Sequence, residues 1–290
     1  MDDPQPFPGE VSFSGGERRC ALGLGMYGLG ADPARAADEV RLLRQALEIG
    51  YRVFDTAEMY AQGGSERVLG QALAQAQRAG LRREELFVVS KVLPEHASAA
   101  GVVAACERSL QRLGLDRIDL YLLHWRGATP LAQTVQGFEQ LLHRDCIRRW
   151  GVSNFDLADM QELMAVPGGA ACAANQVHYS PSARGVEWDL LPWQRQQGMP
   201  LMAYSPFDQG ELVNQPALQE LARRHQATPA QIALAWVLGQ AGVMAIPKAG
   251  RALHLQLNWA APRLVLSPQD LADLDRSFAP PRRKMALSMR

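Results

Sequence analysis

Lysine is nearly missing from this chain: Lys91, Lys248 and Lys284 stand against 27 arginines among the 30 basic side chains. Lysine in so tilted a composition suggests positions where a guanidinium would not serve. A compact ammonium shifts its pKa on burial and lowers that of a neighbour, whereas arginine stays charged and forked. Cysteine is sparse too. Cys20, Cys106, Cys146 and Cys172 are widely spaced, with no C-x-x-C pair and no histidine at metal-ligand spacing. That excludes a disulfide framework or a metal site and points to reduced thiols. Net charge is lacking: 30 acidic side chains cancel the basic ones, so no global field recruits nucleic acid or an anionic membrane. No apolar run approaches the ~20 residues that span a bilayer. The start, Met1-Asp2-Asp3-Pro4-Gln5-Pro6, is acidic and proline-bearing, unlike a signal peptide. A soluble cytoplasmic protein is expected, with no nucleic-acid or membrane partner. No surface stripe specifies an oligomer, and a monomer is expected.

What the chain does have is a regular alternation. Apolar residues make up 47% of its 290, enough for a large core in either two ordinary domains or one α/β barrel. Short β-type runs fall at 20–25, 52–55, 86–91, 118–124, 148–153, 171–176, 200–204 and 243–247. Helix-period stretches lie between them at 34–49, 65–79, 98–113, 130–143, 156–165, 188–197, 216–239 and 251–261. Start signals include Asp32-Pro33, Ser65 with Glu66, and Thr228-Pro229, while Gly50, Gly80 and Gly114 mark helix ends. Eight strands alternating with eight helices predict a parallel sheet of the (β/α)8 TIM-barrel class. A hairpin around Gly15-Gly16 precedes it, and a helix near 267–278 with the loose tail Pro280-Pro281-Arg282-Arg283-Lys284 follows. No linker or low-complexity block interrupts the pattern, so residues 1–290 read as one domain.

Barrel chemistry sits at the C-terminal ends of the strands. In this assignment those ends carry Asp55, Lys91, His124, Ser153-Asn154, Gln176, Tyr204 and Lys248. Carbonyl reduction needs a hydride donor and a proton for the developing alkoxide. A tyrosine serves as that acid if a buried ammonium brings its pKa down toward neutrality. An aspartate then holds the ammonium and offsets its burial, and a histidine orients the carbonyl. Asp55, Tyr60, Lys91 and His124 suit these four roles. Taken singly each has a plainer reading: Asp55 as an N-cap, Tyr60 as loop packing, Lys91 as a solvated strand end, His124 as a core histidine. Their joint occurrence favours chemistry.

The runs Gly23-Leu24-Gly25-Met26-Tyr27, Asp55-Thr56-Ala57-Glu58-Met59-Tyr60, Ser90-Lys91-Val92, Leu122-Leu123-His124-Trp125, Gly151-Val152-Ser153-Asn154-Phe155, Asn175-Gln176-Val177, Ala203-Tyr204-Ser205-Pro206 and Ile246-Pro247-Lys248 resemble the aldo-keto reductases in order and spacing. The likeness extends from about residue 20 to 275 and looks most like the bacterial small-aldehyde members, methylglyoxal reductases among them. It implies NADPH bound across the strand ends without a Rossmann fold, with NADH an alternative donor. It implies Tyr60 as acid, Tyr204 stacked on the nicotinamide, and Ser153, Asn154 and Gln176 on its carboxamide. Lys248 would meet the adenosine phosphate end. The remaining coenzyme contacts implied are Gly25, Met26, Asp55, Ser205, Pro206, Phe207, Ala249, His254 and Asn258; Tyr27, Tyr60, His124 and Trp125 would meet the carbonyl substrate. The chain also departs from the family pattern. Met26 replaces a small hydroxyl residue, Ala249 a serine or threonine, His254 an arginine, Leu257 an acid and Phe207 an aliphatic residue. These leave fewer anchors for a 2'-phosphate.

Gly23-Leu24-Gly25-Met26-Tyr27-Gly28 also matches the dinucleotide fingerprint G-x-G-x-x-G. That motif should open a helix directly, and here Leu29-Gly30-Ala31-Asp32 intervenes. No Tyr-x-x-x-Lys pair supports a short-chain dehydrogenase. Two other readings stay open: a dehydrogenase working toward alcohol oxidation, and a nucleotide-sensing regulatory subunit.

Overall fold

A computed structural model of the protein describes residues 9–13 and 16–290. The start Met1–Pro6 and Gly15 of the expected hairpin lie outside the described residues. The hairpin's flanks form β1 (Glu10–Ser12) and β2 (Arg18–Cys20), antiparallel with Glu10 opposite Cys20.

Strands then alternate with helices: β3 (Leu24–Gly25), α1 (Ala36–Ile49), β4 (Val53–Asp55), α2 (Gly64–Arg78), β5 (Phe87–Val92), α3 (Ala99–Leu113), β6 (Leu120–Leu123), α4 (Leu131–His143), β7 (Trp150–Ser153), α5 (Leu157–Ala165), β8 (Asn175–His178), α6 (Leu190–Gln196), β9 (Leu201–Tyr204), α7 (Pro216–Arg224), α8 (Pro229–Leu238), β10 (Val243–Ala245), α9 (Ala252–Ala260) and α10 (Pro268–Ser277). From β3 to β10 each strand hydrogen-bonds its neighbour in sequence, and the registered pairs are parallel. β5 is buried along its whole length; its Phe87-Val88-Val89 run is apolar on both faces, as parallel strands covered by helices require, and Ser90 and Lys91 follow as buried polar residues.

Contacts divide the chain into two compact units. One holds Leu24–Gln176 with Lys248–Ala252; the other holds the residues up to Gly23, Val177–Pro247 and Leu253–Arg290. In the first unit Phe138 of α4 stacks on Trp150 of β7, their rings 5.0 Å apart and 9° from parallel, so the helix seats on the sheet through an aromatic pair. Gly114 ends α3 at φ 63°, a left-handed cap that a side chain would strain. In the second unit Tyr179 is buried against Trp236 and donates to Glu187, so it is a core residue there.

Three expectations are corrected. The helix expected over 216–239 is two helices. Gln226 takes a left-handed φ of 50°, and Thr228 caps α8 through a reciprocal bond with Gln231, with Pro229 at the first turn. Ser65 is not a cap: it is buried, donates to the Met26 carbonyl and accepts from Thr56. The tail is not loose, because charges and hydrogen bonds pin it within the second unit. Lys284 lies 3.1 Å from Asp189, Ser288 2.8 Å from His178 Nδ1, and Arg290 makes two 3.0 Å bonds to Glu211. Among the described residues no helix is long and apolar enough to cross a membrane, and none group as a metal site.

Replacing Thr228 by alanine removes the half of the α8 cap in which Thr228 Oγ1 accepts from the Gln231 N–H, and leaves the Thr228 N–H bond to Gln231 Oε1. The expected loss is about 1 kcal/mol, read as a lower urea midpoint at unchanged slope.

Candidate active site

The first unit carries the polar cluster. Asp55 ends β4, and Lys91 sits near the end of β5, which pairs with β4 in parallel. Lys91 is fully buried, so its charge must be met inside the protein. Its Nζ donates to Asp55 Oδ1 at 2.6 Å and to the Thr56 carbonyl at 2.8 Å, and reaches the Tyr60 hydroxyl at 3.3 Å. The other Asp55 oxygen accepts from Gln176 Nε2 at 2.7 Å. Gln176, expected on a nicotinamide carboxamide, thus also holds the carboxylate that holds the lysine.

Tyr60 is wedged between rings. Tyr27 meets it edge-on at 5.3 Å and His124 at 5.7 Å, while Trp125 tilts against His124 at 4.9 Å. His124 follows β6; its backbone N–H donates to the Val92 carbonyl, and its own carbonyl accepts from Asn154 Nδ2 at 3.1 Å. His124 Nδ1 is buried without a hydrogen-bond partner. Ser153 Oγ and the Asn154 N–H both donate to the Gln176 carbonyl, which locks the ends of β7 and β8 together. Asn154 adopts φ 60°, a left-handed turn that asparagine tolerates.

The electrostatics separate the roles. Burial, the largest single influence, pulls the Lys91 ammonium toward losing its proton, but the Asp55 carboxylate and the Tyr60 hydroxyl together outweigh it, and the pKa ends above the ordinary lysine value. Lys91 stays charged. Burial pushes the Tyr60 hydroxyl above its ordinary value and outweighs the lowering by Lys91. The expectation that the ammonium brings the phenol down toward neutrality is therefore corrected: desolvation wins, and the phenol keeps its proton. Burial, with Lys91 adding to it, pushes His124 down to about 2, so its imidazole is neutral.

Other expected contacts in this unit are Gly25, bridged to Lys248 in parallel, and Met26, whose side chain is wholly buried. A Cβ on Gly28 would stand 3.5 Å from the Lys248 ammonium. Lys248 is exposed and Ala249 buried; among the described residues no carboxylate pairs with Lys248. The second unit carries the rest. Tyr204 ends β9, half-buried, its ring stacked on His178 at 5.6 Å and 15°. Ser205 follows at φ 49°, then buried Pro206 and half-buried Phe207. On α9 His254 is exposed, whereas Asn258 is buried with Nδ2 unpartnered.

Sequence reasoning gave His178 no role, yet it backs Tyr204 and is itself held by Asp208 at 2.5 Å. The available signal was strand alternation, which puts His178 on the same face as Gln176 two residues earlier. Thr56, whose carbonyl accepts a hydrogen bond from Lys91, carries no side-chain signal at all.

Residues 21–278 match the Aldo/keto reductase family. Methylglyoxal reductase YeaE of Escherichia coli is 47% identical over 284 residues, covering 96% of this chain and 98% of that protein. Glyoxal reductase of Bacillus subtilis is 34% identical over 250 residues, 86% of this chain and 87% of its own. An aldo-keto reductase from Klebsiella pneumoniae, solved in complex with NADPH, superposes with a TM-score of 0.93 at 44% identity, covering 98% of this chain and 100% of that one.

A neutral His124 is expected to leave no titration in the ring signals of that residue between about pH 5 and 8. Proton NMR checks this, and a midpoint near the ordinary histidine value of about 6.5 contradicts the burial argument.

Proposed function

The chain belongs to the aldo/keto reductase family, and from that membership we propose that it reduces small aldehydes and dicarbonyls of the methylglyoxal kind with NADPH. It is an oxidoreductase of the (β/α)8 fold class. The observation that carries the mechanism is the 3.3 Å approach of a buried, charged Lys91 to the Tyr60 hydroxyl.

Residues able to hold the coenzyme are present. Tyr204, backed by His178, offers a ring face for a nicotinamide. Ser153, Asn154 and Gln176 offer amide and hydroxyl groups, exposed Lys248 offers a cation for phosphate, and Asn258 Nδ2 is a buried donor without a partner. An unpaired buried amide is costly unless something accepts from it, which supports a ligand there. When bound, NADPH supplies the hydride to the carbonyl carbon.

The chain's residues handle the proton. Tyr60 is protonated at neutral pH and donates its hydrogen to the carbonyl oxygen as negative charge develops there. Lys91, positively charged beside it, stabilises the phenolate left behind. Asp55 keeps Lys91 in place as its counterion; Gln176 fixes the second carboxylate oxygen. Neutral His124 orients the carbonyl by a hydrogen bond and cannot compete as an acid. Tyr27 and Trp125 flank the reacting group through their ring contacts with Tyr60 and His124.

In this reading the protein works as a cytoplasmic monomer and as one domain. Its four unpaired cysteines suit a reducing compartment, and both contact-defined units draw on distant parts of the sequence.

Tyr60→Phe is expected to retain NADPH binding, followed by fluorescence, while turnover of methylglyoxal falls about 100-fold or more. Undiminished steady-state rates in that variant sink the mechanism. Lys91→Met is expected to lose turnover similarly. It also leaves Asp55 buried and unpaired, at about 3–5 kcal/mol of stability by denaturant titration.

A further inference from the structure

Beside the four residues above lies a carboxylate that the mechanism does not use. Glu58 is 8% exposed, two residues before Tyr60. Its Oε1 accepts the Leu93 backbone N–H at 2.8 Å and lies 2.9 Å from His96 Nδ1, while Oε2 is 3.6 Å from Arg108. Its own backbone N–H donates to the Lys91 carbonyl at 3.3 Å, two residues along from the Thr56 N–H bond to Val89. The ladder between the segment carrying Tyr60 and the segment carrying Lys91 thus runs one rung past strand β4. The Glu58 side chain closes it where the backbone turns away.

The chain on the far side of Tyr60 needs such a tie. Ala61 and Gln62 both hold φ at 52°, a left-handed conformation that costs side-chain-bearing residues roughly 1 kcal/mol or more each and persists only where the surroundings enforce it. Tyr60 therefore sits between a strained turn and the Glu58 tie. Its hydroxyl must stay within reach of an ammonium already fixed by Asp55 and Thr56. A displacement of about 1 Å in such an arrangement costs up to about 100-fold in rate.

We infer that Glu58 is a positioning residue for Tyr60: its carboxylate, shared between the Leu93 amide and the His96 ring, holds the Tyr60 segment against the Lys91 segment. This rests on Tyr60 being the acid. Glu58→Ala, Glu58→Gln and Glu58→Asp are compared with Tyr60→Phe, using methylglyoxal and NADPH for kcat and KM and NADPH fluorescence for binding. Glu58→Ala is expected to lower kcat about tenfold, with KM and NADPH affinity changed less than about threefold. Glu58→Gln still accepts the Leu93 N–H and restores most of that loss. If the alanine protein does not fold, Glu58→Asp carries the test, since it draws the carboxylate back by one methylene and should lose kcat severalfold at unchanged KM. Wild-type kcat in both Glu58→Ala and Glu58→Asp, or a loss in Glu58→Gln equal to that in Glu58→Ala, overturns the inference. An active Tyr60→Phe instead overturns the reading beneath it.

Discussion

The ion pair between Lys91 and Asp55 constrains everything around it. Burying an ammonium without a partner is prohibitive, so the lysine can occupy its fully buried position only with a carboxylate in contact and its remaining protons accepted. Asp55 at 2.6 Å and the Thr56 carbonyl at 2.8 Å meet those demands, and the Tyr60 hydroxyl takes the third direction. The carboxylate is held in turn by Gln176, so one side chain links the ends of β4, β5 and β8. Register in these strands is fixed as much by this polar requirement as by apolar packing. A slip of one residue would turn Lys91 toward the opposite face and separate the charges.

Burial then sorts the titrating groups. The same exclusion of water acts with opposite sign on acids and bases: it raises a phenol and lowers an imidazole. Tyr60 keeps its proton and His124 goes without its second one, while Lys91 alone stays charged because its counterion is in contact. One acid, one neutral donor and one fixed cation result from a single environment. The phenol does not need to be acidic at rest. It needs a cation beside it when the proton leaves.

Much of this was readable along the chain. The strands lie within a few residues of their expected places because burial on both faces makes short apolar runs, and the four reactive residues fall at or just beyond strand ends. The misreadings have local causes. The single helix expected over 216–239 ignored the break that Thr228-Pro229 announces, since both halves are apolar enough to continue the period. Ser65 looked like a cap because serine before glutamate is a capping pattern, yet burial turned its hydroxyl to the Met26 carbonyl. The tail looked solvated because its charges resemble those of any tail. Its partners, Asp189, Glu211 and His178, lie 79 or more residues away in sequence.

The amino-acid order by itself determined the strand–helix alternation, the residue types at the strand ends and the family resemblance, since periodicity and short motifs are properties of neighbouring positions. Only the folded chain decided which groups meet and what their protons do. Asp55 finds Lys91 across 36 residues and Gln176 across 121, and no local pattern encodes such distances. Whether desolvation or a neighbouring charge governs Tyr60 depends on how much water the packed strands exclude. That is a property of the assembled interior.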